Sequence, residues 1–174
     1  QDMAEDGVAL LEYLDIDKAH IVGASMGGMI AQIIAANNPD KTKSLVSIMS
    51  STGAPHLSEM SERNESTFRN IENLDTENVR SYGFFPEAMP RQLTAIFKAG
   101  DRSEIVKSIS VPTLVQHGEE DTLLPQDHGK HTAQLIKGSK YKVYKNMGHN
   151  LPPEVLPLLM KDMISFFNEI EKSI

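Results

Sequence analysis

The 174-residue sequence contains no cysteine. That excludes disulfides, thiolate metal sites and cysteine nucleophiles together, and it is compatible with a reducing compartment. Clustered positive charge is also missing. Seventeen Lys and Arg stand against 24 Asp and Glu, a formal net charge of −7 with no basic run. Binding to nucleic acid or to an anionic membrane needs clustered cations, so neither class of partner is expected. Long apolar runs are absent as well. None approaches the roughly 18 residues of a membrane span, and no basic-then-apolar signal pattern opens the chain. The expectation is a soluble, cytoplasmic protein.

What is present is an ordinary globular balance, 40% hydrophobic and 24% charged. At this length the usual size relation gives one domain, two at most.

Met3 to Leu14 sets Val8, Leu11 and Leu14 on one side, the pattern of an amphipathic helix. A polar connector follows over Asp15 to Lys18. His20 to Gly23 is a brief apolar run stopped by glycine, which reads as a buried strand. Met26 to Asn37 reads as a helix that ends before Pro39, and Ser44 to Met49 as a second strand. Ser51 to Ile109 differs, with a polar stretch from Ser58 to Asn70, a Phe84-Phe85-Pro86 turn and a helix around Arg91 to Lys98. Alternation then resumes: a strand at Thr113 to Gln116, a helix at Gly129 to Ile136, a strand at Lys140 to Tyr144. A last helix runs from Pro153 to Ile170 with Leu156, Leu159, Met163, Phe166, Phe167 and Ile170 on its apolar face. Strands alternating with helices predict an α/β fold with a parallel sheet covered on both faces. Residues 1–50 and 110–174 form the expected core, and residues 51–109 a short cap or lid.

Gly23-Ala24-Ser25-Met26-Gly27-Gly28 lies where a strand hands over to a helix. That is the setting of a Gly-x-Ser-x-Gly nucleophile elbow, a turn too sharp for bulky neighbours at Gly23 and Gly27. It lifts the Ser25 hydroxyl clear of the sheet. The backbone N–H of Met26, at the positive end of the following helix, becomes a donor to a developing oxyanion.

A serine hydroxyl needs a base to take its proton and an acid to orient that base. Of six histidines, His20 lies in a strand before the elbow and reads as structural. His56 falls in the polar excursion. His128 and His131 make an i, i+3 pair that reads as a polar helix face rather than a metal site. His149, in the loop after the last strand, stands where open α/β sheets place their ligands, at the carboxyl ends of parallel strands. Asp121 follows the Thr113 to Gln116 strand and is the favoured acid, with Glu119 and Glu120 as close competitors. The chain order Ser, Asp, His is the one that accompanies a nucleophile elbow.

These motifs resemble the α/β-hydrolase superfamily. Gly23 to Gln32 is similar to the elbow of its carboxylic-ester hydrolases and related peptidases. Met49-Ser50-Ser51-Thr52-Gly53, Arg91-Gln92-Leu93, Val111 to Val115, His128 to His131 and Met147 to Pro152 resemble the aclacinomycin methylesterase-like branch. The resemblance implies Ser25 as nucleophile, Asp121 as orienting acid, His149 as base, a small-molecule ester as substrate and no cofactor or metal. An aminopeptidase or perhydrolase reaction on the same three residues, or a catalytically silent accessory chain, stays open.

The resemblance also implies several strands before the elbow and a His-Gly-type loop giving a second oxyanion amide. Only one helix precedes the elbow here. Two expectations follow, a piece of a longer hydrolase, which the initial Gln in place of Met favours, or a naturally shortened one; in either the elbow strand forms an apolar sheet edge. Such an edge invites pairing with a missing N-terminal segment or with a second copy.

Overall fold

The computed structural model describes residues 2–69 and 88–172. Helix α1 (Asp2–Tyr13) leads to strand β1 (Ala19–Ala24), helix α2 (Met26–Asn37) and strand β2 (Thr42–Ile48). Then come α3 (Glu62–Arg69), α4 (Met89–Ala99) and α5 (Ser103–Lys107). Strand β3 (Thr113–Gly118), helix α6 (Gln126–Leu135), strand β4 (Lys140–Tyr144) and helix α7 (Leu156–Glu171) complete the order.

The four strands form one sheet in the order β1-β2-β3-β4, and every pair is parallel. Val22 stands opposite Val46, Val46 opposite Leu114, and Val115 opposite Tyr141. Successive side chains of a strand point to opposite faces, so a strand covered on both sides buries an unbroken apolar run. Strand β2 is buried on both faces, although only Leu45, Val46 and Ile48 in it are apolar. Leu45 joins Ala31, Ala35, Val106, Ile109 and Ile136 beneath α2, α5 and α6. Its neighbour Val46 joins Ile48, Leu114, Leu159, Met163 and Phe166 beneath α7. One strand thus contributes to two cores.

Most of the expected elements are found, with ends displaced by a few residues; α2 spans Met26–Asn37 and β4 spans Lys140–Tyr144 as anticipated. Two helices were not anticipated. Glu62–Arg69 lies within the stretch read only as polar, and Ser103–Lys107 is only five residues long. The Phe84-Phe85-Pro86 turn lies outside the described residues. No helix among the described residues is long and apolar enough to cross a membrane.

Strand β1 pairs only with β2 among the described residues, so it is an edge of the sheet. The carboxyl ends of β1, β3 and β4 all face one rim. That rim gathers Ser25, the loop after Gly118 and the loop after Tyr144.

Candidate active site

Ser25 follows the last residue of β1 and caps α2 with φ 53° and ψ −121°. A side-chain-bearing residue rarely adopts positive φ, and such strain persists only where surroundings enforce it. The enforcing bonds are visible. The Ser25 amide donates to the Ile48 carbonyl at 2.9 Å, and the Ser50 hydroxyl donates to the Ser25 carbonyl at 2.9 Å. Crowding does the rest. A Cβ on Gly28 would lie 2.6 Å from the Ser50 Cβ, whereas one on Gly27 would meet nothing within 4 Å. The sequence expectation for Gly27 is therefore corrected: the glycines that steric crowding demands are Gly23 and Gly28. The Gly27 carbonyl is what crowds Gly23.

His149 reaches this turn from the loop after β4. Its Nε2 lies 2.8 Å from Ser25 Oγ and its Nδ1 2.8 Å from Asp121 Oδ2. A carboxylate only accepts, so Nδ1 carries the proton and donates it to Asp121. Nε2 then presents a lone pair to the Ser25 hydroxyl, the tautomer needed for a base.

Asp121 is buried, while its competitors Glu119 and Glu120 are exposed. Its Oδ1 accepts the amides of Leu123 and Leu124 at 3.0 and 2.9 Å. Burial pushes its carboxyl up. Hydrogen bonds from His117, from His149 and from the Leu124 amide outweigh burial and hold it well below the usual carboxylate range. Two loops are locked together to make this contact. The Glu120 amide donates to the Met147 carbonyl at 3.0 Å, and a Cβ on Gly118 would come within 2.1 Å of that same oxygen. Gly118 and its neighbour His117 were overlooked in the sequence. Their signal was the glycine at the strand end, one residue after a histidine spaced i, i+4 from Asp121.

Met26 opens α2, so its N–H is among the first-turn amides that lack an intrahelical partner and point out of the helix. A small apolar cavity of about 50 Å³ is lined by Met26, Met29, Ile30, Ile33, Ile96 and Arg102. A more open, polar depression of about 460 Å³ is lined by His149, Asn64, Glu120, Thr122, Asn146 and Asn150.

A family model described as the α/β hydrolase fold matches residues 1–82. An uncharacterized hydrolase of Bacillus subtilis is 28% identical over 200 residues, covering 96% of this chain and 71% of the relative. A bifunctional esterase/perhydrolase of Acinetobacter calcoaceticus is 26% identical, covering 94% and 72%. Among solved structures, a meta-cleavage product hydrolase from Pseudomonas fluorescens superposes with TM-score 0.72 at 20% identity, covering 95% of this chain and 70% of that one. The chain has the α/β-hydrolase fold. It is an enzyme, and its relatives place it among the hydrolases.

In this hydrolase the other histidines do structural work. His20 Nδ1 lies 2.7 Å from the Ser44 hydroxyl and its ring stacks on Phe167. The reading of His128 and His131 as a polar helix face is corrected. His128 is buried, its Nδ1 2.7 Å from the Ser51 hydroxyl, and its Nε2 donates to the Ser58 carbonyl at 2.8 Å. His131 Nδ1 lies 3.0 Å from the Thr52 hydroxyl, with the exposed His56 ring edge-on at 4.8 Å. The pair clamps the segment after β2 onto α6. No metal-binding cluster of His, Asp or Glu occurs among the described residues.

Proposed function

We propose that this hydrolase cleaves small carboxylic esters through an acyl-enzyme on Ser25. The observation that carries this reading is the continuous relay from Ser25 Oγ through His149 to Asp121, each step 2.8 Å. Ser25 Oγ attacks the ester carbonyl while His149 Nε2 takes the hydroxyl proton. Asp121 keeps the imidazole in the reactive tautomer and stabilises the imidazolium. The Met26 N–H, at the positive end of α2, faces the oxygen that gains charge. Collapse of the tetrahedral adduct breaks the C–O bond, and the alcohol leaves with the proton from His149. A water molecule then attacks the acyl group with His149 as base, and the acid is released from Ser25.

The small apolar cavity beside Met26 favours a short acyl or alcohol group. Residues 51–109, of which 70–87 lie outside the described residues, act as the cap over this rim in the same reading, because Ser61 and Asn64 are tied to Thr122 in the loop that bears Asp121. A perhydrolase reaction is the second reading, favoured by the esterase/perhydrolase relative. There, hydrogen peroxide replaces water as the acceptor and a peracid is released.

The test is release of p-nitrophenol from short-chain esters, with Ser25→Ala as control. Hydrolysis by the wild type and loss of at least about 10³-fold in Ser25→Ala support the reading. Equal rates in the two proteins overturn it. Failure of a fluorophosphonate to label Ser25 in folded protein identifies a silent chain instead.

A further inference from the structure

His117 lies on β3, four residues before Asp121, and its side chain is fully buried. Its Nε2 lies 2.8 Å from the Leu124 carbonyl oxygen. That oxygen only accepts, so Nε2 carries the ring proton. The same Nε2 stands 3.5 Å from Asp121 Oδ2, the oxygen that also receives the His149 proton. Leu124 is therefore gripped twice, its N–H by Asp121 Oδ1 and its C=O by His117.

Packing alone does not account for an imidazole here. With the proton on Nε2, Nδ1 is left buried without a hydrogen-bond partner among the described residues. Buried ring nitrogens are normally satisfied, and an apolar side chain would fill the space without that penalty. The neighbouring helix is also shaped around the ring. A Cβ on Gly129 would lie 2.4 Å from His117 Nδ1, so α6 carries a glycine in its interior where one weakens a helix. Both features cost stability, and both keep an N–H donor directed at the Asp121 loop.

Resting on the hydrolytic reading of the site, we propose that His117 is a positioning residue whose Nε2–H fixes the Asp121 carboxylate and the Leu124 peptide so that Asp121 faces His149. The groups facing Asp121 are His117 from β3, His149 from the loop after β4, and the Leu123 and Leu124 amides of its own loop. An N–H directed at a carboxylate withdraws charge from it. Losing that donor leaves Asp121 more basic and less firmly oriented, so the bond from His149 Nδ1 to Asp121 Oδ2 changes with it.

The experiment compares His117→Gln, His117→Asn and His117→Leu. Glutamine returns an N–H near the position of Nε2; asparagine keeps polarity but falls short; leucine keeps only bulk. Two readouts are taken on each folded variant: the fluorophosphonate labelling rate of Ser25 against pH, and the downfield imidazole N–H proton resonance of the His149–Asp121 bond. The Gln variant is expected to label within about 3-fold of wild type with an unchanged profile. The Asn and Leu variants are expected to label about 10-fold slower, with the downfield resonance shifted or lost. Wild-type rates and resonance in the Asn and Leu variants overturn the proposal. If neither of those folds, the Gln variant decides alone: a wild-type profile supports the proposal and a 10-fold loss overturns it. A wild type that never labels defeats the hydrolytic reading, and the resonance then still tests the role of His117.

Discussion

Gly23 approaches Gly27 so closely that a Cβ at position 23 would sit 2.1 Å from the Gly27 carbonyl oxygen and 2.3 Å from its carbon. The obstacle is backbone at the start of α2, not a side chain that can rotate away. Gly23→Ala must therefore unseat either β1 or α2. The expected cost is about 3 kcal/mol, a fall in Tm of about 10 °C for a chain of this size. Gly27→Ala, with open space around its Cβ, is expected to stay within about 1 °C or rise slightly, since alanine favours the helix. Paired thermal melts check the contrast.

Beneath the site, Tyr144 links strand β4 to helix α7. Gln116 Nε2 donates to the Tyr144 hydroxyl at 2.6 Å, and that hydroxyl donates to Asp162 Oδ2 at 2.9 Å. Burial pushes the phenol well above its ordinary range, with Asp162 adding to the push. Tyr144→Phe leaves Gln116 with the Leu159 carbonyl alone. Denaturant unfolding is expected to show a loss of about 2 kcal/mol, the cost of stripping a buried polar group of a partner.

How far these contacts were legible in the sequence depends on their range. The elbow was legible because strand, Ser25 and helix are consecutive, and α2 has a Pro39 stop. Helix α3 was not. Its segment Glu-Arg-Asn-Glu-Ser-Thr-Phe-Arg carries almost no apolar periodicity. The five residues of α5 are too few to show a period at all. Among Glu119, Glu120 and Asp121 only burial and contact with His149 discriminate, and both depend on a loop 28 residues away. The place of His117 beside Asp121 was hidden for a related reason. Its bond to Leu124 and its fit against Gly129 exist only once β3, its following loop and α6 are packed.

Asp121 makes stability depend on acid. Its folded carboxyl titrates far below the ordinary value of about 3.9 for an unfolded chain. The stabilisation is therefore fully present above that unfolded value and disappears as pH falls toward the folded one. Asp121→Asn removes the titration. Its Tm is expected to lie below wild type at pH 7, and the two curves should converge as pH drops from about 4 toward 2. Thermal melts across that range check the convergence. Curves that stay parallel contradict a depressed Asp121.

A second pH effect, of opposite chemical origin, arises at the clamp after β2. Burial lowers the His131 pKa from its ordinary value, His56 and His128 lower it further, and Asp101 and Asp127 pull it back in part. The folded protein thus resists protonating His131. Stability from this group is complete above about 6.5, the unfolded value, and is lost as pH falls through the lower folded one. His131→Gln keeps a polar partner for Thr52 without the charge. Its Tm is expected to change less than the wild-type Tm between pH 7 and 5. Proteolysis within residues 52–58 should likewise accelerate at pH 5 in wild type and not in the variant.

Among the described residues Val22 pairs with Val46 on one side only, and it is 45% exposed although it lies on the strand that carries the elbow. The outer edge of β1 offers backbone N–H and C=O groups to any extended chain that approaches. Leu10, Tyr13 and Leu14 near the end of α1 are exposed too. We propose that β1 is covered in the working protein by a further strand, either from another segment or from a second copy. The 174-residue chain studied alone is then expected to associate through this edge. A charge beside an open edge blocks such pairing, so Val22→Lys is expected to shift the chain toward monomer without disturbing the Ser25–His149 contact on the rim. Light scattering across a concentration series measures the shift, and fluorophosphonate labelling shows whether the site persists. A wild-type chain that remains monomeric at every concentration, with no second polypeptide, removes the proposal.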